Sequence, residues 1–361
     1  MDCRRLALGM AAAVLFCTWV TSGCNSESSS VGSASQPSVV IGAAGSTFIA
    51  PLMDKWLSGY KQEQPKVAIN YRPIGSGAGI EEMKKGYLSF GATDAPLSDD
   101  QIKEMRPLIQ VPASAGPVCI VYNVPNLTAP LKLSSKTLSE IYLGNIISWQ
   151  DPAIAKDNPG VKLPKAPVIV VHRSDGSGTT NIFTSYLSKI SHDWSWKAGT
   201  GLSVTWATGL GAEGSKGMLE IVRHTPGTIG YLELNYAKQN GVPVASIQNQ
   251  SGRFVAPTPE SAAAAIAAFS DALAKDVRTP IVDPPASASD AYPITGLSFI
   301  LIPKDREDVD QQQAIKAFIT YAISKGQGSA EDLSYAKLPD SLQKEGQQLL
   351  AQLSANGQPL K

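Results

Sequence analysis

The sequence predicts an α/β fold, on three observations. Apolar runs of strand length alternate with segments of helical period along most of the 361 residues. Several of those runs end in glycine and hydroxyl residues directly before the next helix, the punctuation of strand-to-helix units. Hydrophobic content of 43% with 17% charged residues describes a packed globular chain, long enough for two domains of ordinary size.

The elements follow in order. Ser38–Ile41 is a short apolar strand, and Phe48–Gln62 continues as a helix. Val67–Tyr71 is a strand, Gly79–Lys85 a short helix, and Ser89–Ala92 another short strand. Val118–Tyr122, inside PVCIVYNVP, reads as a buried strand. Val168–Val171, four apolar residues, is the next, followed by a helix over Thr179–Ser188 whose Ile182, Phe183, Tyr186 and Leu187 fall on one face. Thr228–Leu232 and Leu297–Ile302 are strands, with the alanine-rich helix Glu260–Ala274 between them. Gln311–Ser324 and Asp340–Ser354 close the chain as helices. Proline-rich punctuation near 107–117 and 280–293 marks two places where the chain passes from one lobe to another and back.

The first residues stand apart from this pattern. Arg4 and Arg5 precede an apolar run from Leu6 to Val20, shorter than the roughly 20 residues of a membrane span. With Thr21, Ser22 and Gly23 after it, residues 1–23 read as a secretory signal. Small residues directly before Cys24 resemble a bacterial lipoprotein signal, although Thr21 stands where leucine is usual; lipidation at Cys24 and ordinary cleavage nearby both remain open. Residues 24–37 are a Ser-rich tether that would hold the folded part near a membrane.

Composition excludes several classes. Net charge is zero and no basic stripe appears, so no nucleic-acid partner is expected. Cys3 and Cys17 leave with the signal, and Cys119 lies in an apolar strand, so neither a disulfide framework nor a thiolate metal cluster is expected. His172, His192 and His224 lack ligand spacing. No metal and no cofactor are predicted.

Three junctions of one kind carry the functional signal. SVVIGAAGSTFIAPL (38–52), VAINYRPIGSGAGIEEM (67–83) and VIVVHRSDGSGTTNIFTSYL (168–187) each run from strand through glycine and hydroxyl residues into a helix. A helix N-terminus leaves N–H groups unpaired and carries partial positive charge, glycine allows close approach, and hydroxyls add donors. Three such termini with one arginine fork, Arg173, suit a buried oxyanion. Ordinary helix capping explains the same residues and stays open as an alternative. Asp94, in SFGATDAPLSDDQ (89–101), is a turn aspartate or an acceptor facing that anion. An ionised carboxylate only accepts, so in the second role it selects a protonated oxyanion over a fully deprotonated one such as sulfate. Asp175 is placed to orient the Arg173 guanidinium.

At these residues the chain resembles the bacterial phosphate-binding protein of the phosphate-specific ABC transporter. The resemblance runs from about Val39 to Lys361, carried by GAAGSTFIAP, PIGSGAG, FGATDAPLS, RSDGSGTTNIFTSYL and GTIGYLELNYAKQN. TGLGAEGSKG, YPITGLSFILIPKD, DLSYAKLPDS and NGQPLK add to it. It implies a two-lobed, type II-like periplasmic-binding-protein fold with a ligand cleft between lobes and a two-crossing hinge. Residues 38–114 with 291–361 would form lobe 1, and residues 115–290 lobe 2. It implies that Thr47 donates through its hydroxyl and Phe48 through its N–H, that Ser76, Ser177, Gly178 and Thr179 donate, that Asp94 accepts the phosphate proton, and that Arg173 binds the anion while Asp175 holds it. The implied partners are inorganic phosphate and ABC permease subunits, with the chain a monomer in the periplasm or cell envelope. Ser46, Ala78, His172 and Cys119 depart from the family pattern without removing a donor.

Rival readings are weaker. Gly209, Gly211 and Gly214 match G-x-G-x-x-G with Glu233 further on, but the resemblance places this segment in a loop. The GSG runs lack the lysine of a P-loop, and neither Ser76 nor Ser177 sits in G-x-S-x-G. An enzyme using the same oxyanion pocket, such as a phosphatase, and a carrier of sulfate, molybdate or tungstate are the alternatives. His172 is expected to alternate away from the cleft.

Overall fold

The computed structural model describes residues 38–360 apart from residue 128; the signal, Cys24 and the tether lie outside the described residues. An eight-stranded mixed sheet organises them. Its order is Val67–Pro73, Val39–Gly45, Phe90–Thr93, Thr295–Pro303, Leu108–Asn123, Thr228–Glu233, Ile169–Arg173 and Leu210–Ala212. The first three strands run parallel to one another, as do the last three. Helices follow these strands and cover their apolar sides, as parallel pairing requires.

The long strand Leu108–Asn123 joins the two halves. Residues 108–117 pair antiparallel with Thr295–Pro303, and residues 118–123 pair antiparallel with Thr228–Glu233. The stretch 107–117, expected as loop-like punctuation, is therefore mostly strand. Pro112 is accommodated because the register shifts between Ser298 and Phe299, so the missing N–H falls at a bulge. The curled sheet and its covering helices form the two-lobed α/β architecture.

Helix boundaries follow local chemistry. Ala50–Glu63 buries Leu52, Met53, Trp56 and Tyr60, one face at helical spacing, with Trp56 Nε1 donating to the Gly326 carbonyl at 3.0 Å. Burying each such side chain contributes roughly 1.5–3 kcal/mol. Ser76–Lys84 begins three residues before the expected start, at the serine after Gly75. Gly178–Ile190 starts where Ser177 accepts the Thr180 N–H, and it packs Phe183 on Tyr231 with ring centroids 4.5 Å apart. The single helix expected over 260–274 is two, Pro259–Ala268 and Ser270–Leu273, interrupted at Phe269. The last helix ends at Leu350, because Ser354–Ala355 pairs with Asp305–Arg306 instead of continuing it. Gly214–His224, unread in the sequence, is a helix that buries Met218, Leu219 and Val222. Cys119 is a buried free thiol in the long strand.

Candidate functional site

Four strand-to-helix junctions, not three, meet at the middle of the sheet. At the first, Gly45 ends the strand Val39–Gly45, and the N–H of Ser46, the next residue, donates to the Ala92 carbonyl at 2.8 Å. Ser46 Oγ accepts from the N–H groups of Phe48 (3.0 Å) and Ile49 (3.3 Å). The Phe48 N–H, a predicted anion donor, is thus engaged in capping here. At the second, Ser76 Oγ accepts the Asp94 N–H and donates to Asp94 Oδ2, both at 3.3 Å. At the third, Ser177 caps its helix, and the N–H groups of Gly178 and Thr179, first-turn donors, find no intrahelical acceptor.

The fourth junction is Leu210–Ala212 followed by the helix from Gly214. It is the GLGAEG segment expected to be a loop; pairing of Leu210–Ala212 with Val171–Arg173 makes it a strand. Its glycines serve packing rather than a dinucleotide: a Cβ on Gly209 would lie 2.8 Å from the Val170 carbonyl oxygen. The Gly214 N–H donates to Asp175 Oδ1 at 3.0 Å, and Ser215 Oγ reaches Thr47 Oγ1 and Arg173 Nη1.

The junctions touch. The Gly77 N–H donates to the Gly176 carbonyl at 2.8 Å. A Cβ on Gly178 would lie 2.5 Å from Ser76 Oγ and 2.6 Å from Asp94 Oδ2, so no side chain fits between the second and third junctions.

Asp94 follows Phe90–Thr93 and is 3% exposed. Ser46 Oγ lies 2.6 Å from both of its oxygens, and Ser298 Oγ donates to Oδ1 at 2.7 Å. Burial pushes the Asp94 carboxyl up to about 6; the hydroxyl bonds from Ser298, Ser46 and Ser76 oppose that rise, and the charge of Glu233 adds to it. No guanidinium or ammonium bonds it among the described residues.

Arg173 is the opposite case. It ends the strand Ile169–Arg173, is 4% exposed, and is gripped by Asp175 through Nε–Oδ1 at 2.6 Å and Nη2–Oδ2 at 2.5 Å. Its Nη1 points instead toward Ser215 Oγ at 3.4 Å. Burial acts to raise the Asp175 carboxyl, but the Arg173 bonds and charge and the Gly214 N–H outweigh it and hold the carboxyl below its usual range. The same fork overcomes desolvation and raises the Arg173 guanidinium. His172, one residue earlier, stacks on Trp206 with centroids 4.8 Å apart.

A hydroxyl chain links the remaining residues. Thr47 Oγ1 lies 2.8 Å from Ser215 Oγ, which donates to Glu233 Oε1 at 3.0 Å; Thr179 Oγ1 donates to the same oxygen at 2.8 Å. The structure therefore gathers Thr47, Ser76, Asp94, Arg173, Gly178 and Thr179 around one buried, donor-rich point, with Ser177 beside it as a cap. The arrangement can desolvate a small oxyanion and replace its water by N–H, O–H and guanidinium donors. Cavities of about 240 Å³, lined by Thr47, Asp175, Ser215 and Lys216, and of about 230 Å³, lined by Asp94, Asn181 and Arg278, flank it. Ser46, Ser215, Glu233 and Ser298 were not predicted as site residues. Ser215 had a local signal, since its Gly-Ser step before a helix repeats the other junctions.

A family model described as a PBP superfamily domain matches residues 31–325. The phosphate-binding protein PstS of Xylella fastidiosa is 40% identical over 309 residues, covering 85% of this chain and 84% of the relative. The protein of the same name from Haemophilus influenzae is 41% identical over 302 residues, covering 83% and 89%. Among solved structures, a phosphate-binding protein from Stenotrophomonas maltophilia superposes with a TM-score of 0.66 at 17% identity, covering 86% of this chain and 93% of that one.

Proposed function

The chain belongs to the PBP superfamily and, within it, to the family of its PstS relatives, and from that premise we propose that it captures inorganic phosphate and delivers it to an ABC import permease. One observation carries the reading. Four helix N-termini and a buried guanidinium converge on a point whose facing wall is Asp94, a carboxylate paired with hydroxyls. Donors on one side hold the anion, and the acceptor on the other takes the hydrogen bond of a protonated one.

In the proposed mechanism phosphate enters an open cleft between lobe 1, residues 38–114 with 291–361, and lobe 2, residues 115–290. Thr47 Oγ1, Ser177, the Gly178 N–H, Thr179 and Arg173 Nη1 replace its hydration shell, joined by the Phe48 N–H and Ser76 Oγ as these leave Ser46 Oγ and Asp94 Oδ2. Asp175 keeps the guanidinium in place and Asp94 accepts the phosphate proton. The paired crossings at Pro117 and Thr295 act as the hinge, and the Gly77–Gly176 bond forms as the lobes close. The permease reads the closed shape. The role is one of transport without catalysis, performed by a monomer. No described helix is long and apolar enough to cross a membrane. We place the protein in the periplasm or cell envelope, tethered by a lipid at Cys24.

Calorimetric titration of phosphate-stripped residues 25–361 near pH 7.5 tests this. Tight single-site heat with phosphate and none with sulfate is expected. Sulfate heat with phosphate rejected would make the protein a different oxyanion carrier, and heat with neither would return the site to the phosphatase reading.

A further inference from the structure

The buried carboxylate of Glu233 has no task in the mechanism above. It ends the strand Thr228–Glu233, opposite Val118, and is 1% exposed. Oε1 accepts from Thr179 Oγ1 at 2.8 Å and Ser215 Oγ at 3.0 Å, while Oε2 is buried with no side-chain or backbone partner in hydrogen-bond geometry among the described residues. Glu233 is thus one bond from Thr179, and Ser215 links it to Thr47 and to Arg173 Nη1.

A hydroxyl carries a single hydrogen. Thr179 Oγ1 and Ser215 Oγ cannot give theirs to Glu233 and to an incoming anion at once. When the anion takes them, an ionised Glu233 is left buried, without its two hydroxyl donors and beside a second negative charge, a costly state. Protonation removes the conflict. A neutral carboxyl donates its own hydrogen to a hydroxyl lone pair and frees the hydroxyl hydrogens for the anion.

We propose that Glu233 is a positioning residue that takes up a proton as phosphate binds, turning Thr179 and Ser215 from donors to Glu233 into donors to the anion. The charge balance favours this. The ionisable groups facing Glu233 are Arg173 from the neighbouring strand, Asp94 across the site, Cys119 from the long strand, and Tyr236 and Tyr335. Of these Arg173 carries positive charge, and Asp175 already holds it. Burial also moves the Glu233 carboxyl upward, against the pull of Arg173 and of its own hydrogen bonds, in the direction that favours the protonated form.

The inference rests on the phosphate-capture reading, and its test separates the two. Phosphate is titrated calorimetrically into wild type and Glu233→Gln, each in two buffers of different ionisation enthalpy, which gives the protons taken up per anion. Wild type should take up more than the variant, by an amount approaching one. Across pH 6 to 8 its Kd should rise more steeply with pH, by up to about tenfold per unit. Protonation of phosphate itself contributes equally to both and cancels. Phosphate binding with equal uptake in both proteins overturns the Glu233 role and leaves phosphate capture standing; no phosphate heat from wild type overturns both. Should Glu233→Gln fail to fold, wild type with glutamate 13C-labelled at Cδ is followed by infrared difference spectroscopy. A label-shifted protonated-carboxyl band must then appear on phosphate addition, and its absence sinks the proposal.

Discussion

The two walls of the site place the same residue type in opposite electrostatic states. Asp94 meets three hydroxyls, which satisfy its oxygens but supply no charge, and burial pushes it up to about 6. Asp175 meets a guanidinium through two short bonds and is held low in spite of burial. The partner, not the carboxylate, decides the outcome: hydroxyls leave the desolvation of Asp94 largely uncompensated, while Arg173 overcompensates that of Asp175. Asp94 is therefore positioned to share a proton, and Asp175 to immobilise a cation. A receptor for a protonated anion needs one wall of each kind.

Replacing Arg173 by Met breaks the comparison most severely. It deletes the buried cation and leaves Asp175 without its partner, a loss of about 3–5 kcal/mol, which raises the phosphate Kd a hundredfold or more in titration. Unchanged affinity would show that the helix termini alone hold the anion. Asp94→Asn addresses the other wall. It adds an N–H donor where an acceptor stood, and the ratio of sulfate to phosphate Kd should narrow by about a hundredfold. A variant that rejects sulfate as well as the parent would remove Asp94 from specificity. Gly178→Ala leaves both walls chemically intact and keeps them apart. The added methyl meets Ser76 Oγ and Asp94 Oδ2, so about 1–3 kcal/mol of closure energy is lost and the phosphate Kd rises about tenfold. Small-angle scattering with saturating phosphate should then show a more open particle than the parent.

The junctions were legible because their signal is local. Gly75 before Ser76 and Ser177 before Gly178 announce a helix start within a few residues, and Asp94 sits in a turn after a short strand. Ser298 and Glu233 reach the site through sheet register, from strands whose pairing no local pattern reveals. Alternation along TGLSFILIP does not say that Ser298 will face a carboxylate some two hundred residues away. The α/β class and most element positions could be read. The long central strand could not, because Pro112 and Pro117 read as breakers until the bulge shows where the ladder tolerates one of them. The fourth junction was hidden by a glycine pattern that suggested a nucleotide and then a loop, although its Gly214-Ser215 step was the same signal as the other three.

The smallest expected effect is on stability in the absence of phosphate, and its sign separates the two aspartates. For Asp94 the folded carboxyl lies above its unfolded value of 3.8, so the folded state binds the extra proton between that pH and about 6. Its stabilisation is present in acid and is lost as pH rises through about 6. Between pH 5 and pH 6.5 the loss amounts to about 1 kcal/mol. For Asp175 the folded carboxyl lies below 3.8, so its contribution is present above that pH and disappears only on further acidification. Urea midpoints of wild type and Asp94→Asn, measured in phosphate-free buffer over pH 5 to 6.5, isolate the Asp94 contribution, since Asp175 stays ionised throughout and Glu233 is common to both proteins. The wild-type midpoint should fall relative to the variant as pH rises. Parallel curves would mean that the three hydroxyls fully offset the desolvation of Asp94, and the two walls would then differ in geometry but not in their hold on a proton.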